Sequence, residues 1–184
     1  MSGLFTRRQF SGVAASLLAG TTTAKFALAS DQPAPSATDS GILRTQEAIH
    51  QEVQFNVVRS RIYEALTETK KFAEVTKLSA AAQSMTLPTA STEISREAGG
   101  QFTLFGGYIV GRHIELVPGE RIVQAWRAGN WDPGIYSIVR FELVEQGTGT
   151  KLSFDHTGFP AGQAEHLAHG WHSNYWQPLQ KYLA

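Results

Sequence analysis

The feature that most constrains this chain is its last stretch, Gln163 to Leu183. Placed on a helix at about 100° per residue, Ala164, Leu167, Ala168, Trp171, Tyr175, Pro178, Leu179 and Tyr182 share one face. His166, His169, Ser173, Gln177 and Gln180 fall on the other. An apolar stripe this wide, carrying three large rings, has to be covered. What precedes it is a series of short alternating segments separated by turns. The architecture that satisfies both is α+β: a curved antiparallel sheet closing on one C-terminal helix. Pro178 removes one backbone donor and crowds the carbonyl of Asn174, so a kink is expected there.

The chain has 184 residues, 42% of them hydrophobic and 17% charged, which suits one folded domain rather than a disordered polymer. Its formal net charge is zero. Three of the 16 basic residues and none of the 16 acidic ones lie in residues 1–30, which leaves the remainder at about −3. A mildly acidic domain without a basic run gives no reason to expect nucleic acid. There is no cysteine, and therefore no disulfide, thiolate nucleophile or cysteine–zinc site.

The first 29 residues have the form of an export signal. Thr6-Arg7-Arg8-Gln9-Phe10 leads into a mild apolar run, Val13 to Ala19, and Ala27-Leu28-Ala29 supplies the small-x-small pattern of a cleavage site. This resembles a twin-arginine signal, although Ser11-Gly12 stand where Leu and Lys are usual. The expected partners during export are the twin-arginine translocase and signal peptidase, and the expected location is periplasmic or otherwise extracytoplasmic. The apolar run is far short of the ~20 residues that span a bilayer. Residues 30–43, with Pro33, Pro35, Ser36 and Ser40, read as a flexible linker, and residues 44–184 as the domain.

Within the domain, Ile49, Gln51, Val53, Phe55 and Val57 alternate with polar residues as in a half-buried strand. Ser60 is placed to cap a helix in which Ile62, Tyr63 and Leu66 share a face. A second short helix is expected over Lys70 to Lys77, with Phe72 and Val75 inward. Ser79 to Thr89 is the least legible stretch. Six strands then follow, broken by Gly99-Gly100, Gly106-Gly107, Pro118-Gly119-Glu120, the loop Asn130 to Gly134, and Gln146 to Gly149. Connections this short require antiparallel neighbours, about seven strands in all.

Several pieces resemble a known family: Ser60-Arg61-Ile62-Tyr63-Glu64-Ala65-Leu66-Thr67, Gly99-Gly100-Gln101-Phe102, Ile114 to Pro118 continuing through Trp126-Arg127, Gly149 to Phe154 with His156-Thr157-Gly158-Phe159, and Gly170-Trp171 with Tyr175-Trp176 and Leu179. Their order and spacing are similar to the family named for the activator of the ninety-kilodalton heat-shock protein's ATPase. That family belongs to the SRPBCC superfamily, with its START and polyketide-cyclase relatives. The resemblance covers Ile49 to Leu183. It implies a helix-grip fold with a cavity between sheet and helix, and it implies no reaction, since such folds host both binders and enzymes. An exported chain would not meet that chaperone or ATP, both cytosolic.

The candidate ligand-binding residues are Tyr108, Arg112, Phe141, Phe154, His156, Trp171 and Tyr175. Leu152, Phe154 and His156 share one strand face; Ile135, Ser137, Val139, Phe141 and Leu143 share another. Tyr108, Val110, Arg112 and Ile114 share one face of their strand, and Ile109, His113 and Val117 the other. Arg96, Arg112, Arg127 and His156 are the polar candidates, because a charge on an apolar face needs a partner, water or a ligand. His156 is the one candidate catalytic residue. The run His166, His169, His172 has i, i+3 spacing, but it walks away from the stripe and no acid beyond Glu165 lies beside it, so no metal is expected. No motif calls for a cofactor, and no nucleophile constellation or phosphate loop occurs. The expected function is to hold a small hydrophobic or amphipathic molecule. The alternatives are an enzyme of the cyclase or hydrolase kind using His156 or an arginine, and, below that, a protein-interaction module.

Overall fold

The computed structural model describes residues 47–84 and 92–184. The signal and linker assigned from the sequence lie outside the described residues.

Strand β1 (Ala48–Phe55) leads into helices α1 (Arg59–Thr67), α2 (Thr69–Lys77) and the single turn α3 (Ala80–Gln83). Strands β2 (Glu93–Ile94), β3 (Gln101–Leu104), β4 (Ile109–Val117), β5 (Arg121–Ala128), β6 (Ser137–Gln146) and β7 (Gly149–Thr157) follow. The chain closes with α4 (Ala164–Trp171), a π-helical turn (His172–Trp176) and α5 (Gln177–Leu183). The strands form one antiparallel sheet in the order β1-β7-β6-β5-β4-β3-β2. Only the closing pair, β1 with β7, is distant in sequence. This is the helix-grip architecture expected from the alternating segments and the aromatic stripe.

One face of the sheet meets the helices. Ile122, Gln124, Trp126, Ser137, Val139, Phe141, Leu152, Phe154 and His156 are all buried there, each two residues from the next on its strand or opposite one on a neighbour. Gly111 belongs to this face for lack of space: a Cβ would sit 2.2 Å from the Ala125 carbonyl oxygen and 2.2 Å from the Phe102 ring. Gln51, polar on an apolar strand face, clamps the helix. Its amide nitrogen donates to the Ala168 carbonyl at 3.1 Å, and its amide oxygen accepts from the Trp176 indole at 2.6 Å. At the other end, the Glu47 carboxylate accepts from the backbone N–H groups of Gly162 and Ala164, covering the start of α4.

Four local expectations are corrected. Ser60 is inside α1, whose cap position is Val58 with no side-chain hydrogen bond. Ile135 precedes β6 and is exposed, so the buried row begins at Ser137. Ile114 shares the outer face with Arg112 as expected, but a bulge between His113 and Glu115 carries the core-facing register from His113 to Leu116 rather than to Val117. The largest correction concerns the last helix. The irregularity lies at the π turn just before Pro178, where the Gln177 N–H bonds back to the His172 carbonyl. The wider turn takes up the crowding that a straight helix would place at Asn174. Closing five residues back brings Trp176 almost into line with Trp171, instead of the about 140° that a regular helix gives. Trp176 is therefore core, buried and stacked on Trp171 at 5.7 Å and 19°.

Candidate functional site

The space between helix and sheet has two halves. In the first, over β1, β7 and β6, aromatic rings fill it. Trp171 packs on Phe154 at 4.4 Å between ring centroids and on Phe141 at 5.9 Å, and Trp176 packs on both. His156 is fully buried among Trp126, Phe159 and Trp171.

The hydrogen bonds around His156 form a chain with a fixed direction. The Trp171 indole can only donate, and it does so to Nδ1 at 3.0 Å. Nδ1 is therefore the bare nitrogen. Nε2 carries the proton and donates to the Ser137 hydroxyl at 2.7 Å, and that hydroxyl donates to the Trp126 carbonyl at 3.1 Å. Burial holds the ring neutral, with its pKa lowered to about 3. A serine–histidine pair 2.7 Å apart invites a nucleophilic reading, but the proton points the wrong way. The lone pair a general base would use is taken by Trp171, and among the described residues no carboxylate stands behind the ring. The chain ties β6, β7 and α4 together; it does not activate Ser137.

In the second half the rings draw apart and leave a cleft of about 420 Å³. Its floor and walls are Phe105, Ile109, Trp126, Leu167, Trp171 and Tyr175. Its mouth carries Tyr108, Asn130, Gln163, His166, His169 and Asn174. Among the described residues no Lys, Arg, Asp or Glu lines it. Phe105 sits in the turn after β3 with a positive φ of 50°, the only such non-glycine among the described residues, and Gly106 and Gly107 follow at 68° and 87°. That conformation is strained for a bulky side chain, and it lays the Phe105 ring against Phe72 and Tyr175. Asn174, on the π turn, donates to the Gly170 carbonyl at 3.1 Å and accepts from the Ala81 N–H at 2.9 Å, linking α3 to the last helix beside the mouth.

Of the residues singled out from the sequence, Tyr108, Trp171 and Tyr175 line this cleft. Phe141, Phe154 and His156 lie in the filled half. Arg112 is exposed on the outer sheet face, paired across β3–β4 with Gln101, so it takes no part in the cleft. Arg127 also leaves the inner face and donates to the Trp131 carbonyl at 2.5 Å, and Arg96 meets Glu68 at 3.3 Å. His166 and His169 stand at the mouth while His172 is exposed beyond it. Among the described residues no group of three or more His, Asp or Glu could hold a metal ion. Phe105, Ile109, Trp126 and Leu167 were missed. The alternation Ile122, Gln124, Trp126, Ala128 does place Trp126 inward, but which end of the sheet stays open depends on strand register.

The fold recurs in solved structures. An HSP90 activator from Plasmodium falciparum matches with a TM-score of 0.65 at 23% identity, over 74% of this chain and 95% of that one. The CalU16 protein of Micromonospora echinospora matches at 0.60 and 16% identity, over 76% and 77%. Among curated relatives, the "Activator of 90 kDa heat shock protein ATPase homolog" of Dictyostelium discoideum is 36% identical over 104 residues, 56% of this chain and 26% of the relative. The human "Activator of 90 kDa heat shock protein ATPase homolog 1" is 27% identical over 116 residues, 63% and 34%. The chain thus spans about a quarter to a third of the relatives' length. The family model described as "Activator of Hsp90 ATPase homolog 1-like protein" matches residues 56–184, well over half of the chain, and the chain belongs to that family.

Proposed function

We propose that this chain is an exported protein that holds a small hydrophobic or amphipathic molecule in the cleft between its sheet and its last helix. The observation that carries the reading is the cleft itself: about 420 Å³, floored by aromatic rings, with no Lys, Arg, Asp or Glu among the described residues that line it. Ligand pockets have this size and this balance of apolar wall to few polar groups. Export rests on Arg7-Arg8 followed by Ala27-Leu28-Ala29. Among the described residues no helix is long and apolar enough to cross a membrane.

Two experiments test the reading. A thermal-shift screen of fatty acids, sterols and aromatic acids against the full chain should find compounds that raise the melting temperature in a concentration-dependent way. A screen in which nothing shifts the transition sinks the binding role. Replacing Arg7 and Arg8 by Lys should hold the precursor in the cytoplasm; undiminished export rejects the twin-arginine route.

A second reading, a protein-interaction module, has the names of the curated relatives and the exposed Ile114, Ile138 and Val144 in its favour. An ATPase assay of the ninety-kilodalton chaperone separates the two. Stimulation by this chain supports the second reading, and no stimulation is expected from the first.

A further inference from the structure

The floor of the cleft holds two hydrogen-bond donors with nothing to donate to. Trp126 is 4% exposed and Tyr175 5%, and neither the indole Nε1 nor the phenol oxygen has a hydrogen-bond partner. The two side chains are near enough for the indole to ease the rise in the Tyr175 pKa, yet they do not meet in hydrogen-bond geometry. Were the indole to lean on the phenol oxygen, the phenol proton would still lack an acceptor. Elsewhere along the helix each indole N–H is met, Trp171 by His156 and Trp176 by Gln51. Buried donors without acceptors are rare in folded proteins and mark places where a further group belongs.

The chemistry of that group follows from its surroundings. It must offer an acceptor, because both waiting groups donate. It must be neutral: no Lys or Arg among the described residues lines the cleft, and the burial that pushes the Tyr175 phenol far above its ordinary pKa opposes any other anion in the same place. Its body must be apolar and flat enough to lie among Phe105, Trp126 and Trp171.

We propose that the cleft selects a neutral, ring-bearing molecule with a carbonyl-type oxygen, and that the Tyr175 O–H and the Trp126 N–H donate to that oxygen. This rests on the reading that the cleft is the ligand site. Both atoms are shut off from solvent in the free chain, so binding includes a swing of the Tyr175 ring. Tyr175 stands on the π turn, a backbone irregularity that often accompanies functional sites.

The test is titration calorimetry of the full chain with three probes of one shape: 2-acetylnaphthalene, 2-ethylnaphthalene and 2-naphthoate. The ketone should bind roughly tenfold more tightly than the hydrocarbon, and the carboxylate most weakly. Tyr175→Phe keeps the ring and removes the donor, so it should bring the ketone towards the hydrocarbon and leave the hydrocarbon unchanged. Trp126→Phe should act in the same direction. Equal binding of ketone and hydrocarbon to the unaltered chain overturns the proposal while the cleft stands as an apolar site. So does an equal loss of both probes in Tyr175→Phe. Binding of none of the three overturns the cleft reading itself.

Discussion

The two halves of the helix–sheet interface are made of the same residue types and end in opposite states. Over β6 and β7 every polar group among the rings has a partner: Trp176 meets Gln51, Trp171 meets His156, His156 meets Ser137, and Ser137 meets the Trp126 carbonyl. Over the ends of β4 and β5 the Trp126 and Tyr175 donors have none, and a left-handed Phe105 props the space open. The difference teaches that aromatic content does not tell core from cleft; the satisfaction of the polar atoms carried by the rings does. A filled, satisfied half grips the helix, and the gripped helix holds one wall of the unfilled half in place.

The largest effect should come from breaking the filled half. Trp171 is buried, packs on six other rings, and starts the hydrogen-bond chain. Trp171→Ala should cost about 3–5 kcal/mol, a large share of a domain's usual ~5–15. Chemical denaturation measures it. A loss below about 1 kcal/mol would mean that the helix does not organise the fold.

Acid should act next, through one histidine in the filled half and one on β4. Two histidines are buried neutral: His156, lowered to about 3, and His113, lowered to about 4, in both cases mainly by burial, with the Ser95 backbone pulling His113 partly back. As pH falls below the unfolded value of ~6.5, the unfolded chain takes up protons that the folded chain refuses. Stability is therefore fully present above about pH 6.5 and falls with pH, by up to ~1.4 kcal/mol per unit for each histidine, until the folded ring itself titrates. Melting curves between pH 7 and 5 check this. His113→Asn should flatten the slope; an unchanged slope would place the acid sensitivity elsewhere.

These predictions rest on features the sequence showed unevenly. The strand alternation, the glycine turns and the aromatic stripe were legible because side-chain direction repeats every two residues in a strand and about every 3.6 in a helix. Trp171 and its need for a partner followed from that periodicity. Where the backbone departs from the ideal period, the sequence misleads. The π turn moves Trp176 into the core, and the bulge after His113 turns Leu116 inward in place of Val117. Arg112 stood out as a charge in an apolar strand, yet its strand turns that face to solvent. The cleft was illegible in detail because Phe105, Ile109 and Trp126 meet only through the pairing of β3, β4 and β5, and Leu167 joins them only where α4 packs across that end of the sheet.

The smallest expected effect sharpens the comparison at the cleft. Tyr175→Phe deletes one oxygen from a ring that packs on Phe72, Phe105 and Trp171. In the filled half, removing a hydroxyl such as that of Ser137 strands its partner: the His156 Nε2–H would lose its acceptor, and Ser137→Ala should cost about 1–3 kcal/mol. At Tyr175 nothing is stranded, because the hydroxyl has no hydrogen-bond partner. Its removal relieves a buried donor, so Tyr175→Phe should leave the free chain as stable as before or more stable by up to about 1 kcal/mol. Of two near-conservative deletions of one buried hydroxyl, one would thus cost stability and the other would cost none. Paired denaturation curves decide it. A loss at Tyr175 as large as that at Ser137 would show that its hydroxyl is held after all, and the distinction between a gripping half and a binding half would fall.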